Sequence, residues 1–563
     1  MKALKRFMVV ASVFCISVAL FATGSSEKKQ ATTAAPAAGT QASGPEKFVI
    51  GVKEDIVVAD WKTNVMTKYI EDALDVELEF VTFSSKDMGT KLNLMAMDGA
   101  KGMPDIIFYA AKDTEIAQWA RMGVLTPLTR YYDDPALSSN IREAWGRIGT
   151  DYRGQVTSPD GEIYVIPSVN QSYGNEMPMK IWMYKPFLDK LGLSVPTTTD
   201  ELYNVLKRVV NDDPNGNGIK DEIGITGVSI DTNYASAPSG WFIALMNSFV
   251  YAGGDQYLTL DDNGKVGAAY TTDGWKEGLR FMHKLMSEGL IQDAALTQNL
   301  NSFKAVLNAD IPQVFMNVTY TGVGFLDGSS SRKDEYIGVM PFKGPAGVQF
   351  ITFRPTVASA RLLITKNCKN PEKAFMIGDL LSSELMSIVT RWGEQHVDWD
   401  YISDMENPEE YEGMYEIAGF DKYIVVYDDA TFWASGNPQN KSYRQQGPYV
   451  RQYAIANGQA QKKGAFKDHE IALAKYQYDL RQGNYAPENT IAKLVYNSDE
   501  NSEIAEIQLN LKSYVDEYSS SVLAGQRDLD KTWDGFLKEL KAIGVDDYLR
   551  VTQGVYDRMY GGK

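Results

Sequence analysis

Residues 213–222 read D-P-N-G-N-G-I-K-D-E, and no other run in the chain constrains its surroundings so tightly. Oxygen-bearing side chains stand at loop positions one, three and five (Asp213, Asn215, Asn217). Gly218 follows at position six, and Asp221 and Glu222 at nine and ten. In a tightly curled loop alternate side chains turn inward, a glycine at six allows the sharp bend, and the carbonyl at seven, here that of Ile219, faces the centre. Such a set suits a hard cation, because calcium takes about six to eight oxygens in flexible geometry. Position twelve, where an EF-hand places a bidentate Glu, is Gly224, so Asp221 and Glu222 must supply the last oxygens. The plain alternative is an Asn-Gly turn with solvated acids. Five oxygen donors and a correctly placed glycine rarely coincide by composition, so Ca2+ is the expected occupant.

The flanks say what such an ion is for. Thr198 and Glu201 form a capping pair, and Leu202, Val205, Leu206 and Val209 then recur at helical spacing to about Val210. After the loop, residues 223–228 read as a strand. Helix, ion loop and strand follow one another with no catalytic histidine nearby, so the expected ion is structural: it pins a surface connection.

The first residues concern destination. Lys2, Lys5 and Arg6 precede an apolar run from Phe7 to Phe21, with small residues at Ala22 and Gly24. The run is too short to span a bilayer and has the layout of a secretory signal peptide, residues 1–24. Phe14 precedes Cys15 where a lipid-anchoring motif needs a small residue, so no anchor is expected there. Residues 25–46 are Ala, Thr, Ser, Pro, Gly and Lys with almost no bulky apolar side chain, the composition of a flexible linker. An extracytoplasmic location follows.

The rest is too long for one core and implies two or more. A net charge of −17 without a basic block after the signal argues against nucleic-acid binding. Cys368 is alone in the mature chain, so no disulfide staples it, and His283, His396 and His469 show no zinc spacing.

Strands at 47–52, 76–81 and 104–109 alternate with helices at 64–74, 88–97 and 115–122. This order implies an α/β domain around a largely parallel sheet. A second alternating region runs from Ile181 to Leu290, further strands fall at 313–316 and 361–365, and the C-terminal third is mostly helical.

M-P-D-I-I-F-Y-A is followed by G-V-L-T-P-L-T at 123–129 and by G-E-I-Y-V-I-P at 161–167. The order of these segments resembles that of family 1 extracellular solute-binding proteins of ABC transporters. W-M-Y-K-P-F-L-D-K-L-G-L-S-V-P-T-T-T-D-E-L at 182–202 follows, then the ion loop, as in the oligosaccharide-binding branch similar to alginate and uronate lipoprotein receptors. R-W-G-E-Q-H-V-D-W at 391–399 is similar to that branch's Y-G-x-E-G-x-x-W segment, with Gln395-His396 as a departure. W-D-G-F-L-K-E-L-K-A-I-G-V-D-D-Y-L at 533–549 resembles its closing helices. The resemblance implies a two-lobe periplasmic-binding-protein fold, a hinge between lobes, ligand in the cleft and a long helical C-terminal extension. On this reading residues 47–165 and 300–365 form the N-lobe and residues 166–299 and 366–563 the C-lobe. The implied partners are membrane permease subunits, and the expected state is a monomer.

Ten tryptophans and thirty-two tyrosines suit a sugar cleft, because the C–H faces of sugars stack on aromatic rings and their hydroxyls want polar side chains. Candidate ligand contacts are Asp60, Trp61, Asn170, Gln171, Tyr173, Trp241, Trp392, Glu394, Trp399 and Trp433, with Arg354 available to an acidic sugar. Burial in the core is the competing reading for each aromatic. The expected ligand is an oligosaccharide bound without chemistry. A secreted glycoside hydrolase using Glu394 with Asp398 or Asp400 is the rival class, and a sugar sensor for a membrane receptor is the third.

Overall fold

A computed structural model describes residues 44–230, 240–321, 324–326, 330–416, 419–427 and 438–561. The expected signal peptide, most of the linker and Trp433 lie outside them. Among the described residues no helix is long and apolar enough to cross a membrane.

Glu46–Lys53 runs parallel to Val76–Phe83 on one side and to Ile106–Phe108 on the other. Phe48, Ile50 and Val52 are buried, as expected of a parallel sheet covered by helices. Ser359–Ile364 then enters antiparallel between Ile106–Phe108 and Val165–Asn170, and Val450–Arg451 closes the far edge, making six strands. The connecting helices start where the sequence signals them. Asn64 caps Val65–Leu74, its side chain accepting from the Met66 amide at 3.0 Å.

A second sheet has the order Tyr336–Val339, Lys180–Tyr184, Val314–Thr319, Ile223–Ile225, with only the last pair parallel. Thr198 caps the helix Thr199–Asn211, accepting from the Glu201 amide at 3.1 Å. The Glu201 carboxylate reaches back to the Thr197 amide at 2.7 Å, one residue beyond the usual capping box. That helix buries Leu202, Val205, Leu206 and Val209 against the second sheet's core.

Two separate hydrophobic cores result, and they redraw the expected lobe boundaries. Phe303, Val314, Phe315, Val339 and Ile351 pack in the second core, not the first. Ala374, Phe375, Ile388, Trp392, Trp399 and Tyr443 return to the first. The chain therefore re-enters the first lobe near 358 rather than 300 and has its last buried residue there at Ile455, although Tyr415 packs in the second core. The physical reason is that Val314–Thr319 and Tyr336–Val339 hydrogen-bond to the second sheet, a pairing that leaves no local sequence mark.

The C-terminal helices Ser498–Leu523, Leu529–Ile543 and Val545–Tyr560 pack on the second core, with Tyr518 stacked on Phe536 at 4.1 Å between ring centres. Just before them, Lys493 reaches the first lobe. Its Nζ lies 2.9 Å from the Asp113 carboxylate and donates to the Gln155 carbonyl at 3.0 Å.

Candidate ligand cleft and metal loop

In an open α/β sheet ligands bind beyond the carboxyl ends of the strands. Lys53, Ser85 and Tyr109 stand at or just beyond the ends of three parallel strands and line a cavity of about 400 Å³. Arg361, on the strand entering from the second lobe, lines this cavity and also a central one of about 260 Å³. The central cavity in turn shares Arg354 with a third of about 1080 Å³, walled by the second lobe and the C-terminal helix Ser498–Leu523. The three run on from one another along the boundary of the two cores.

At the first-lobe end Tyr109 is half-buried, its ring stacked on Trp119 with centres 6.2 Å apart. Trp119 is fixed in turn by donating to Asn93 at 2.7 Å. Centrally, Arg361 donates through Nε to Ser168 at 3.0 Å. The Asn170 side-chain oxygen is buried without a hydrogen-bond donor. Glu176 is only 4% exposed. Its Oε1 accepts from Thr356 at 3.0 Å and from the Tyr453 hydroxyl, whereas Oε2 is buried with no donor. An unsatisfied buried acceptor costs roughly 1–3 kcal/mol, so such oxygens belong where a ligand brings donors. On the second-lobe wall Tyr251 donates to the Phe353 carbonyl at 2.8 Å, and Tyr257 to Asp516 at 2.9 Å.

Of the residues singled out from sequence, Asn170 and Arg354 line this cleft. The described tryptophans do not. Trp61 packs against Phe80 and Tyr443 in the first core. Trp241 is fully buried in the second core and donates to the Val228 carbonyl at 3.1 Å. Trp392 lies in the first core beneath the guanidinium groups of Arg391 and Arg451, and Trp399 donates to the Gly393 carbonyl at 2.9 Å. Tyr173 is buried among Tyr415, Phe420 and Tyr453. Asp60 closes a surface turn, accepting from the Lys62 amide and the Thr63 hydroxyl. Gln171 is held by its backbone amide, which donates to the Arg451 carbonyl at 2.8 Å. The large apolar area of an aromatic ring decides its place when a core is within reach, and these tryptophans are within reach of one.

The carboxylates of the hydrolase reading have other partners. Asp398 accepts from the Glu394 amide at 2.8 Å and pairs with Lys441 at 2.6 Å, and Asp400 lies 2.6 Å from His396. Tyr109, Glu176 and Arg361 were missed. Tyr109 alone had a sequence signal, as the residue ending the run I-I-F-Y.

The 213–222 loop folds inward on its acids. Asp213 accepts from the amides of Gly216, Asn217 and Gly218 at 3.0, 3.2 and 2.9 Å. Gly216 and Gly218 both have φ of +75°, the left-handed bend for which glycine suits them. Asn215, Asn217 and Gln313 donate side-chain amides to Asp221. Burial opposes ionisation of Asp221, but these donors outweigh it and lower its pKa. Glu222 goes the other way: burial raises its pKa, with the charges of Asp213 and Asp221 adding to the effect. Its Oε2 is buried without a donor, and its Oε1 accepts from the Asn215 amide at 3.3 Å. Among the described residues no three His, Cys, Asp or Glu side chains gather as a metal site by themselves. The donor set of the loop is mixed, with amide oxygens from Asn215 and Asn217 and the carbonyl of Ile219 beside the acids, and such oxygens fit a hard cation.

The chain belongs to the bacterial extracellular solute-binding proteins, whose family model matches residues 58–383. It is 27% identical over 523 residues to the fructooligosaccharide ABC transporter substrate-binding protein FusA of Streptococcus pneumoniae serotype 4, covering 90% of this chain and 88% of FusA. A structure of an S. pneumoniae FusA EF-hand mutant with fructo-nystose matches with TM-score 0.69 at 24% identity, over 92% of this chain and 100% of that one. An extracellular solute-binding protein from Bifidobacterium longum subsp. infantis matches with TM-score 0.74 at 20% identity, over 92% of this chain and 99% of that one.

Proposed function

We propose that this protein captures an oligosaccharide in the cleft between its lobes and delivers it, unaltered, to an ABC importer. The observation that carries the reading is the pair of buried oxygens on the cleft wall, Asn170 Oδ1 and Glu176 Oε2, that lack a donor. Sugar hydroxyls supply donors at close spacing, and the half-buried Tyr109 ring offers a face for stacking. Joined cavities of about 400, 260 and 1080 Å³ give room for several sugar units. FusA, a fructooligosaccharide-binding protein, supports the same class of ligand.

The protein acts outside the cytoplasm as a monomer, exported by residues 1–24 and followed by a linker. Residues 44–170 with 358–455 form one lobe and most of the remainder the other. They close on the ligand and present both surfaces to the permease. Asp213, Asn215, Asn217, Ile219, Asp221 and Glu222 hold a calcium ion that neutralises the acids of the loop; the EF-hand of FusA supports this. The ion is structural and lies apart from the sugar.

Isothermal calorimetry against a panel of neutral and acidic oligosaccharides tests the reading, with scattering on the same samples. The expected result is binding without product, accompanied by a fall in radius of gyration as the lobes close. Tight binding of a peptide or an amino acid and of no glycan overturns it.

A further inference from the structure

The first-lobe and central cavities carry a charge that the rest of the chain does not, whereas the largest is lined by Asp255, Asp516 and Glu517 against Arg354 and Lys512. The whole sequence has a net charge of −17. Yet Lys53, Lys86, Lys112 and Arg361 line the first-lobe cavity against a single carboxylate, Glu115. Arg354 and Arg361 line the central cavity against Glu176 alone. Lysines at a surface are ordinarily just solvated, so position alone decides nothing. Their partners decide it.

Around the cleft, cations that hold the structure together are matched. Arg444 lies 2.7 Å from Asp55, Lys441 2.6 Å from Asp398, and Lys493 2.9 Å from Asp113. The five that line the two cavities are not: among the described residues none has a carboxylate within 4.0 Å. Arg354 shows the contrast best. Its backbone amide is tied to the Glu176 carbonyl at 2.7 Å, which fixes its place on the crossover, while its side chain is exposed in the space where the central and largest cavities meet. Arg361 spends Nε on Ser168 at 3.0 Å, an anchor that leaves the fork's other donors for a ligand. Two guanidinium groups with neighbouring hydroxyl acceptors match a sugar bearing an anionic group, since Arg pairs with carboxylates and sulfates by paired donors. The acidic exterior slows the approach of such a ligand but does not cancel the short-range attraction inside the cleft.

We infer that the oligosaccharide is acidic: its carboxylate or sulfate lies in the central cavity between Arg354 and Arg361, and its hydroxyls donate to Asn170 Oδ1 and Glu176 Oε2. This rests on the carbohydrate reading above and specifies its charge class.

The test uses the full mature chain and calorimetry with three sets of trimers: oligouronates of galacturonate and mannuronate, the same trimers with every carboxyl reduced to the alcohol, and sulfated galactose trimers. An acidic trimer is expected to bind at least roughly tenfold tighter than its neutral counterpart, with the preference shrinking as salt is added. Whether the carboxylated or the sulfated set gives the tighter ligand identifies the group. Arg354→Gln is expected to erase most of the preference, and Arg354→Gln with Arg361→Gln all of it; if the double variant fails to fold, the exposed single variant carries the test. Neutral trimers binding as tightly as acidic ones, or a preference that survives Arg354→Gln, overturn the inference while leaving a carbohydrate receptor. Absence of binding by every trimer, with binding of a neutral oligosaccharide from the wider panel, overturns the inference alone; binding of no glycan at all overturns both.

Discussion

The loop at 213–222 and the cleft between the lobes are both polar concavities containing a buried oxygen with no donor, and they are built in opposite ways. The loop draws its oxygens from ten consecutive residues, and Gln313, distant in sequence, donates to Asp221. The cleft draws on strand ends near 53, 109 and 170, on the crossover at 354–361, and on Tyr449. Local chemistry makes the first a self-contained module whose failure stays local. Topology makes the second, so its residues matter only in company. The two should answer differently to perturbation: the loop through stability, the cleft through ligand.

The strongest way to break that division is through a tryptophan that sequence placed in the cleft and the structure places in the core. Trp241→Ala removes a fully buried side chain and its bond to the Val228 carbonyl. The expected cost is about 3–5 kcal/mol of folding stability, read by denaturant unfolding. Sugar affinity of the folded fraction should stay near wild type. A variant as stable as wild type that has lost its sugar would return Trp241 to the cleft and blur the comparison.

That example shows what was legible. Strand and helix periodicity, the Thr198 cap and the Asn64 helix start are encoded within a few residues; both caps stand where expected, whereas the strand expected at 223–228 ends at Ile225 and the one at 313–316 runs on to Thr319. The loop falls between its helix and its strand as expected. Lobe membership is not local: Val314–Thr319 and Ser359–Ile364 read equally as strands, yet one joins the second sheet and the other the first. Nor is the choice between core and cleft local for an aromatic beside glycine. Trp241 and Trp392 are both flanked by glycine and both buried. Arg361 and Glu176 had no signal at all, because what singles them out is the space beside them.

Calcium removal is the next largest effect and tests the other half of the comparison. An ion that binds only the folded state stabilises by RT ln(1 + [Ca]/Kd), about 2.7 kcal/mol at 100-fold excess over Kd. Chelation should lower the melting temperature by about 2–4 °C for a chain of this size or larger. Asp213→Ala removes the acceptor of three loop amides, and should reproduce that loss and abolish further response to chelator. Sugar binding, measured by calorimetry in the same buffers, should change little. Loss of sugar binding by an otherwise folded, calcium-free protein would place the ion in the cleft.

The cleft should show the converse behaviour. Asn170→Ala deletes a buried oxygen that has no donor in the free protein, so folding stability should hold or rise slightly. Ligand loses one hydrogen bond, about 1 kcal/mol or roughly fivefold in affinity. Calorimetry and a melting curve on one preparation suffice. A stability loss with unchanged affinity would make Asn170 a structural residue and leave Glu176 as the remaining unsatisfied acceptor.

The smallest effect lies in the pH dependence of the loop, and its sign follows from two acids shifted in opposite directions. Glu222 has a raised pKa in the fold. Without calcium its contribution to stability is full below the carboxylate's unfolded pKa and is lost as pH rises through the raised value. Asp221 is lowered, so its contribution is present above the unfolded pKa and fades on acidification. On the proposed calcium site the ion needs both ionised, and it removes the penalty that Glu222 suffers near neutrality. The calcium-free fold therefore gains from protonating Glu222 as pH falls toward the carboxylate range, while the affinity for calcium declines. The difference in melting temperature with and without calcium should narrow between about pH 7.5 and about pH 5. Dialysed protein with calcium added back measures this without a pH-sensitive chelator. Glu222→Gln should flatten the trend, because its amide stays neutral throughout. A calcium effect that widens on acidification would mean that Glu222 is not among the ligands.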